Sequence, residues 1–364
     1  MASPGPGSPR RVVRVGINGF GRIGRLACRL IVAANARPGA RAALELVHVN
    51  DAALDAASMA YLFEFDSAHR RYGGAVAVEA GGAALVLDGQ RVTVSREARL
   101  REAWAGRGVE LVLECSGKFN EVAKLREYFA AGVARVLVSA PVDGAVNVVL
   151  GCNEGEVLPE TQIVTAASCT TNCIGPVIKS LDAAFGIERG SINTVHNITN
   201  TQTLLDGPNG KKEDPRRARS GMVNLAPTTT GSAKAIALIF PHLKGKLNGV
   251  AIRVPLHNAS LTDLTLQLKT DATVDSVNRA LAQSAAERPA VLGYETRPLV
   301  SADYLDDPRS SVVDALSTQV VDRRLVKVLA WYDNEVGYAT RMFDLLNLMV
   351  EQMLVQRSST SSRL

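Results

Sequence analysis

The 364-residue chain is poor in cysteine, in histidine and in long apolar runs. None of its apolar runs reaches the length that crossing a bilayer needs, so no membrane partner is expected. Five cysteines (Cys28, Cys115, Cys152, Cys169 and Cys173) form an odd and sparse set. That argues against a disulfide framework and points to a reducing compartment. The opening stretch MASPGPGSPR lacks the apolar core of a secretory signal. Residues 1–11 are expected to be a disordered tail or the stub of a transit peptide. Internal repeats are absent, and no Pro/Gly-rich linker separates the two halves. The net charge of +5 is mild for this length and mostly scattered. The one basic cluster, GKKEDPRRARS (Gly210–Ser220), reads as a solvated loop or one facing an anionic ligand, and a nucleic-acid partner is not expected.

What remains is an ordinary globular composition, 46% hydrophobic and 21% charged, with length for two domains. The first half alternates strands with helices. Arg11–Gly16, Leu44–Asn50, Val109–Cys115 and Arg135–Ser139 read as strands, Arg22–Ala34 and Glu121–Ala131 as helices. Such alternation predicts a doubly wound parallel sheet. The second half has longer strands with fewer helices between them: Asn248–Pro255, Ser260–Lys269, Ser311–Val321 and Val326–Trp331, broken by a helix over Val274–Glu287. That rhythm suits a mostly antiparallel sheet. A final amphipathic helix is expected over Val336–Leu354. The fold class is therefore α/β plus α+β, with the boundary near Ala167. Expected units are 12–167 plus 335–356, then 168–334, with a polar tail over 357–364.

Gly19-Phe20-Gly21-Arg22-Ile23-Gly24 matches G-x-G-x-x-G between a strand and a helix, the context a dinucleotide site needs. The glycines allow a tight turn, close approach of a pyrophosphate and close helix–strand packing. The following helix offers free N–H groups to phosphate. The second strand ends in Asn50-Asp51, and an acid there can take both ribose hydroxyls. It lies further from Gly24 than the usual interval of about 20 residues. The extra loop Ala34–Ala40 accounts for the excess. Because Asp51 would repel a 2′-phosphate, the cofactor is expected to be NAD rather than NADP.

A second constellation is ASCTTNC (Ala167–Cys173), after the strand-like run Ile163–Ala166 and before a helical stretch, Asn172–Phe185. A cysteine at a helix start is placed for a stabilised thiolate, which points to Cys169. Cys173, one turn on, reads as a buried small hydrophobe. The pair lacks the partners of a zinc site, so no metal is expected. A nucleophilic thiol needs a base. The residues alone do not select one among His48, His69, His196, His242 and His257.

INGFGRIGR (Ile17–Arg25), ASCTTNC, TTTGSAKA (Thr228–Ala235), RVP (Arg253–Pro255) and WYDNEVGY (Trp331–Tyr338), in this order, resemble phosphorylating glyceraldehyde-3-phosphate dehydrogenases. The resemblance runs from about Val12 to Val350. It implies Cys169 as nucleophile and His196 as base. It implies Ser168, Thr170, Thr230 and Gly231 as contacts for inorganic phosphate, and Thr199, Thr201 and Arg253 for the phosphate of the substrate. Arg22, Ile23, Asp51, Ser139 and Asn334 would contact NAD, with Gly19, Gly21 and Gly24 shaping the phosphate turn. The implied assembly is a homotetramer and the implied location the cytoplasm. Pro208 agrees with NAD-using members. TNTQT (Thr199–Thr203) and DPRSSVVDALST (Asp307–Thr318) are similar to the members associated with arsenic resistance, so arsenate is a second expected acceptor. An erythrose-4-phosphate dehydrogenase typically loses the Thr-Gly pair, which is intact here as Thr230-Gly231. Loss of Cys169 or His196 would have supported a non-catalytic scaffold binding RNA or protein, and both are present. The terminal Ser362-Arg363-Leu364 is a variant of a peroxisomal address, an alternative location beside the plastid.

Overall fold

The computed structural model describes residues 12–37, 43–209 and 214–361. The expected N-terminal tail, the loop residues 38–42 and 210–213, and Ser362-Arg363-Leu364 lie outside the described residues.

Among the described residues, nine strands form the first sheet. They are β1 (Val13–Asn18), β2 (Leu44–Asn50), β3 (Val76–Val78), β4 (Ala84–Leu87), β5 (Gln90–Ser95), β6 (Leu111–Glu114), β7 (Arg135–Val138), β8 (Val146–Asn147) and β9 (Ile163–Thr165). Their order is β3-β4-β5-β2-β1-β6-β7-β9-β8. All neighbours run parallel except the β3–β4 and β4–β5 pairs. The chain leaves β1 with β2 on one side and β6 on the other. The crevice at the carboxyl ends of these strands is thus the switch point where doubly wound sheets bind ligands.

The second sheet contains β10 (Ile187–His196), β11 (Ala226–Thr229), β12 (Leu247–Arg253), β13 (Ser260–Leu268), β14 (Leu292–Glu295), β15 (Ser311–Val321) and β16 (Leu325–Tyr332). The order is β11-β12-β10-β13-β16-β15-β14, and β10–β12 and β14–β15 are its parallel pairs. The mostly antiparallel reading of this half therefore holds. Strand β12 stops at Arg253, short of the expected Pro255, because proline has no N–H to continue a ladder.

The helices are α1 (Arg22–Asn35), α2 (Ala56–Glu64), α3 (Leu100–Trp104), α4 (Val122–Ala130), α5 (Cys169–Phe185), α6 (Ser232–Ile239), α7 (Val274–Glu287) and α8 (Val336–Ser361). Met342, Leu345, Leu346 and Met349 of α8 return to the first core, against Ile31 of α1 and the strand residues Val15 and Leu46. Each such side chain, fully buried, contributes about 2 kcal/mol. Cys173, Ile174, Val177 and Leu181 of α5 bury a stripe in the second core. Helix α8 runs past the expected Leu354, and Arg357, expected in a polar tail, pairs with Glu110.

Candidate active site

Helix α5 begins at Cys169, three residues earlier than expected, because Ser168 caps it: the Thr171 N–H donates to Ser168 Oγ at 3.1 Å. The preceding Ala167 is held at a φ of 51°, a conformation that costs a residue with a Cβ about 1 kcal/mol. Tyr338 of α8 fixes this turn, its hydroxyl donating to Ala167 O at 3.0 Å. Strand β9, the cap and a helix from the far end of the chain together aim Cys169.

His196 ends β10, 4% exposed, and its Nε2 lies 3.6 Å from Cys169 Sγ. Burial and then the nearby Arg253 charge push the imidazole down to about 3, so it is neutral near pH 7. Burial pushes the Cys169 thiol up, while Arg253 and donors from Thr170 pull it back. The thiolate expected from the helix start is therefore opposed by burial. The geometry provides a neutral thiol–imidazole pair beside a guanidinium. Cys173 is fully buried against Thr262 and Ser311, as its packing reading required. Among the other histidines, His48 is buried in β2, held by Thr93 and Ser95, and His69 is bracketed by Asp306 and Glu335.

Two cavities share Cys169, His196, Ser168 and Arg253 as walls. The larger, about 730 Å³, is also lined by Arg22, Ile23, Ser139, Thr199, Thr201 and Asn334. The smaller, about 250 Å³, is lined by Thr170, Thr230 and Gly231. Two helix starts converge on the smaller one, α5 at Ser168 and α6 after Gly231, and α6 has no side-chain cap. Free N–H groups and two dipole ends suit an anion there. The hydroxyls are already engaged: Thr170 with Tyr332, Thr230 with Ser232, each at 2.9 Å.

Gly19, Gly21, Gly24 and Asp51 are not walls of these cavities. They gather at the β1–α1 turn, where the Phe20 N–H donates to Asp51 at 2.8 Å. Gly19 has φ +90°, and a Cβ on Gly24 would meet Gly19 O at 2.1 Å. A Cβ on Gly21 would meet nothing within 4 Å, and α1 has no side-chain cap. That open face beside free N–H groups fits a pyrophosphate, and Asp51 fits a ribose diol. Ser260 Oγ donates to Asn334 Oδ1 at 3.0 Å, which orients the Asn334 amide. Arg22 is engaged with Asp66 and with Glu335, its Nε donating to the latter at 3.0 Å.

The sequence reading did not single out Arg217 within the basic cluster, which it took as a solvated loop or one facing an anionic ligand. Arg217 is 5% exposed, lines the larger cavity, and donates to Thr201 Oγ1 at 2.8 Å. Asp214-Pro215 ahead of it, a helix-start signal, was the available hint.

Comparison with known proteins follows the same division. Residues 13–122 match the family model "Glyceraldehyde 3-phosphate dehydrogenase, NAD binding domain", and residues 168–334 match its C-terminal domain. The chain is 52% identical over 338 residues to glyceraldehyde-3-phosphate dehydrogenase 3 of Nostoc sp., covering 92% of this chain and 97% of that one. It is 44% identical to the glyceraldehyde-3-phosphate dehydrogenase of Geobacillus stearothermophilus, with the same 92% and 97% coverage. Similarity to glyceraldehyde-3-phosphate dehydrogenase 1 of Bacillus subtilis is also 44%, over 92% and 97% of the two chains.

Proposed function

The chain belongs to the glyceraldehyde-3-phosphate dehydrogenase family, and from that premise we infer which residues perform its reaction. The reaction is the NAD-dependent oxidation and phosphorylation of glyceraldehyde 3-phosphate. The carrying observation is the Cys169–His196 pair, 3.6 Å apart, at the wall between two cavities. We assign residues 12–167 with 335–356 to the dinucleotide-binding unit and 168–334 to the catalytic unit. Gly19, Gly21, Arg22, Ile23, Gly24, Asp51, Ser139 and Asn334 would hold NAD, which supplies the hydride acceptor when bound.

Cys169 Sγ adds to the aldehyde carbon, giving a hemithioacetal. Neutral His196 takes its hydroxyl proton as the carbon is oxidised, leaving a thioester on Cys169. Thr199, Thr201 and Arg253, with Arg217 behind Thr201, hold the substrate's phosphate. Inorganic phosphate in the smaller cavity, against Ser168, Thr170, Thr230 and Gly231, attacks the thioester carbon and releases the Cys169 sulfur. Arsenate is nearly isosteric with phosphate, and the same cradle would take it.

The acceptor cradle is tested with Thr230→Ala, which should raise the KM for phosphate more than the KM for the aldehyde. Cys169→Ser should abolish turnover and Cys173→Ser should retain it. Equal KM changes, or the reverse pattern at the two cysteines, would remove these assignments.

The family's usual homotetramer is our reading of the assembly. Leu204, Leu205, Met222, Val223 and Leu225 support it, since each is more than half exposed on one loop region. Among the described residues, no helix is long and apolar enough to cross a membrane. We take the cytoplasm as the location.

A further inference from the structure

Three neighbouring strands end in a buried polar residue at the dinucleotide crevice, one position before the turn each strand feeds. Asn18 ends β1 before Gly19, Asn50 ends β2 before Asp51, and Glu114 ends β6 before Cys115 and Ser116. All three are 3% exposed or less. Their side chains form one chain of hydrogen bonds across the sheet. Asn50 Nδ2 donates to Asn18 Oδ1 at 2.8 Å, and Asn18 Nδ2 donates to Glu114 Oε2 at 2.7 Å. Beyond Asn50 the chain reaches β5 and the loop after it: Asn50 Oδ1 accepts from Ser95 Oγ at 2.7 Å and from the Glu97 N–H at 2.9 Å.

Glu114 gives this chain its direction. The Ser116 N–H and hydroxyl donate to its Oε1, and the Tyr128 hydroxyl donates to its Oε2 beside Asn18. Burial works against charge on Glu114, and the donors from Asn18, Ser116 and Tyr128 answer it. A carboxylate only accepts, so Asn18 has one usable orientation, with Nδ2 toward Glu114 and Oδ1 toward Asn50. The Asn50 amide is fixed in turn. A reversed amide at either position would set like groups against each other in a buried site, and only a shift of the strand ends would relieve it. Those ends also carry backbone bonds: the Gly19 N–H donates to Asn50 O and the Cys115 N–H to Asn18 O, each at 2.7 Å. A dinucleotide needs both ends at once, its pyrophosphate on the β1–α1 turn and its ribose diol on Asp51.

We propose that Glu114 is a positioning residue for NAD. It lines neither cavity at Cys169. It acts through the amides of Asn18 and Asn50, which set the spacing between the Gly19 turn and Asp51. Its effect falls on cofactor affinity and leaves the chemistry at Cys169 alone.

The proposal rests on the assignment of the β1–α1 turn and Asp51 to NAD. Glu114→Gln keeps the shape and exchanges one acceptor for a donor. That donor must face Asn18 Nδ2 on one side or the Ser116 N–H on the other, and neither can accept. Calorimetry should show the Kd for NAD raised about tenfold, with kcat at saturating NAD and the KM for glyceraldehyde 3-phosphate changed by less than about twofold. Adding Asn18→Asp restores the match at unchanged total charge: the new amide donates to the new carboxylate, which still accepts from Asn50. The double variant should recover the wild-type Kd. Unchanged NAD affinity in Glu114→Gln, a fall in its kcat, or a double variant no better than the single one overturns the proposal. If Glu114→Gln does not fold, the double variant decides alone, since it should fold and bind NAD as the wild type does. Failure of the cofactor assignment would appear separately, as an Asp51→Ala variant whose Kd for NAD is unchanged.

Discussion

At the scale of single residues, His196 and Cys169 depend on each other's surroundings. Burial that keeps His196 neutral leaves it able to accept a proton at physiological pH, whereas an exposed histidine would be partly charged. The same burial raises the thiol, so Arg253 matters to both. His196→Asn should lower the rate of the oxidative step by about 10²–10⁴-fold, the usual worth of a positioned base, with little change in the KM for NAD. Pre-steady-state absorbance of NADH measures it, and an unchanged rate would remove His196 from the chemistry. Because the folded value is depressed to about 3, His196 also binds fewer protons than in the unfolded chain. Its contribution to stability is complete above about 6.5 and is lost as pH falls toward 3. The residue types of the site were legible in the sequence. Arg217 was not, since burial of a guanidinium depends on the fold around it and not on its neighbours in a charge run.

At the scale of elements, the start of α5 is built by parts distant in sequence. Ser168 caps it, Ala167 is strained before it, and Tyr338 of α8 holds the strained carbonyl. Tyr338→Phe removes that donor and leaves a buried carbonyl short of a partner. It should destabilise by about 1–2 kcal/mol and lower kcat more than KM, as thermal unfolding and steady-state rates would show. Equal kcat with lowered stability would make the contact structural only. The sequence pattern revealed β2, α7 and β15 to the residue. It missed α2 and the β3–β4–β5 meander between Asn50 and Leu100. These strands are short and partly exposed, so the apolar alternation is weak. The turn signal was present: Asp88 and Gly89 both have positive φ, as a two-residue hairpin turn requires. Asp55, accepting from the Ser58 N–H at 2.8 Å, likewise marks the start of α2.

Across the whole molecule, a charged cluster joins the two units beside the cofactor crevice. Arg22 and His69 meet Glu335, just before α8, and His69 also meets Asp306 of the other unit at 2.6 Å. Burial works against charge on His69, but Glu335, Asp306 and Asp333 outweigh it and raise its pKa. Burial also pushes Glu335 up, yet His69 and Arg22 hold it at about 2. A raised histidine stabilises fully below its unfolded value of about 6.5, and the contribution is lost as pH rises through the folded value. His69→Gln should therefore lose about 2 kcal/mol at pH 6, and less in alkaline solution, in denaturant titrations; a pH-independent difference would refute the charge. The account's central claim is that oxidation ends in a thioester on Cys169 that only a bound oxyanion releases. The most direct measurement mixes enzyme, NAD and glyceraldehyde 3-phosphate without phosphate and follows NADH. The expected result is a burst stoichiometric with Cys169, then a stall that added phosphate relieves; full-rate turnover without phosphate would contradict it.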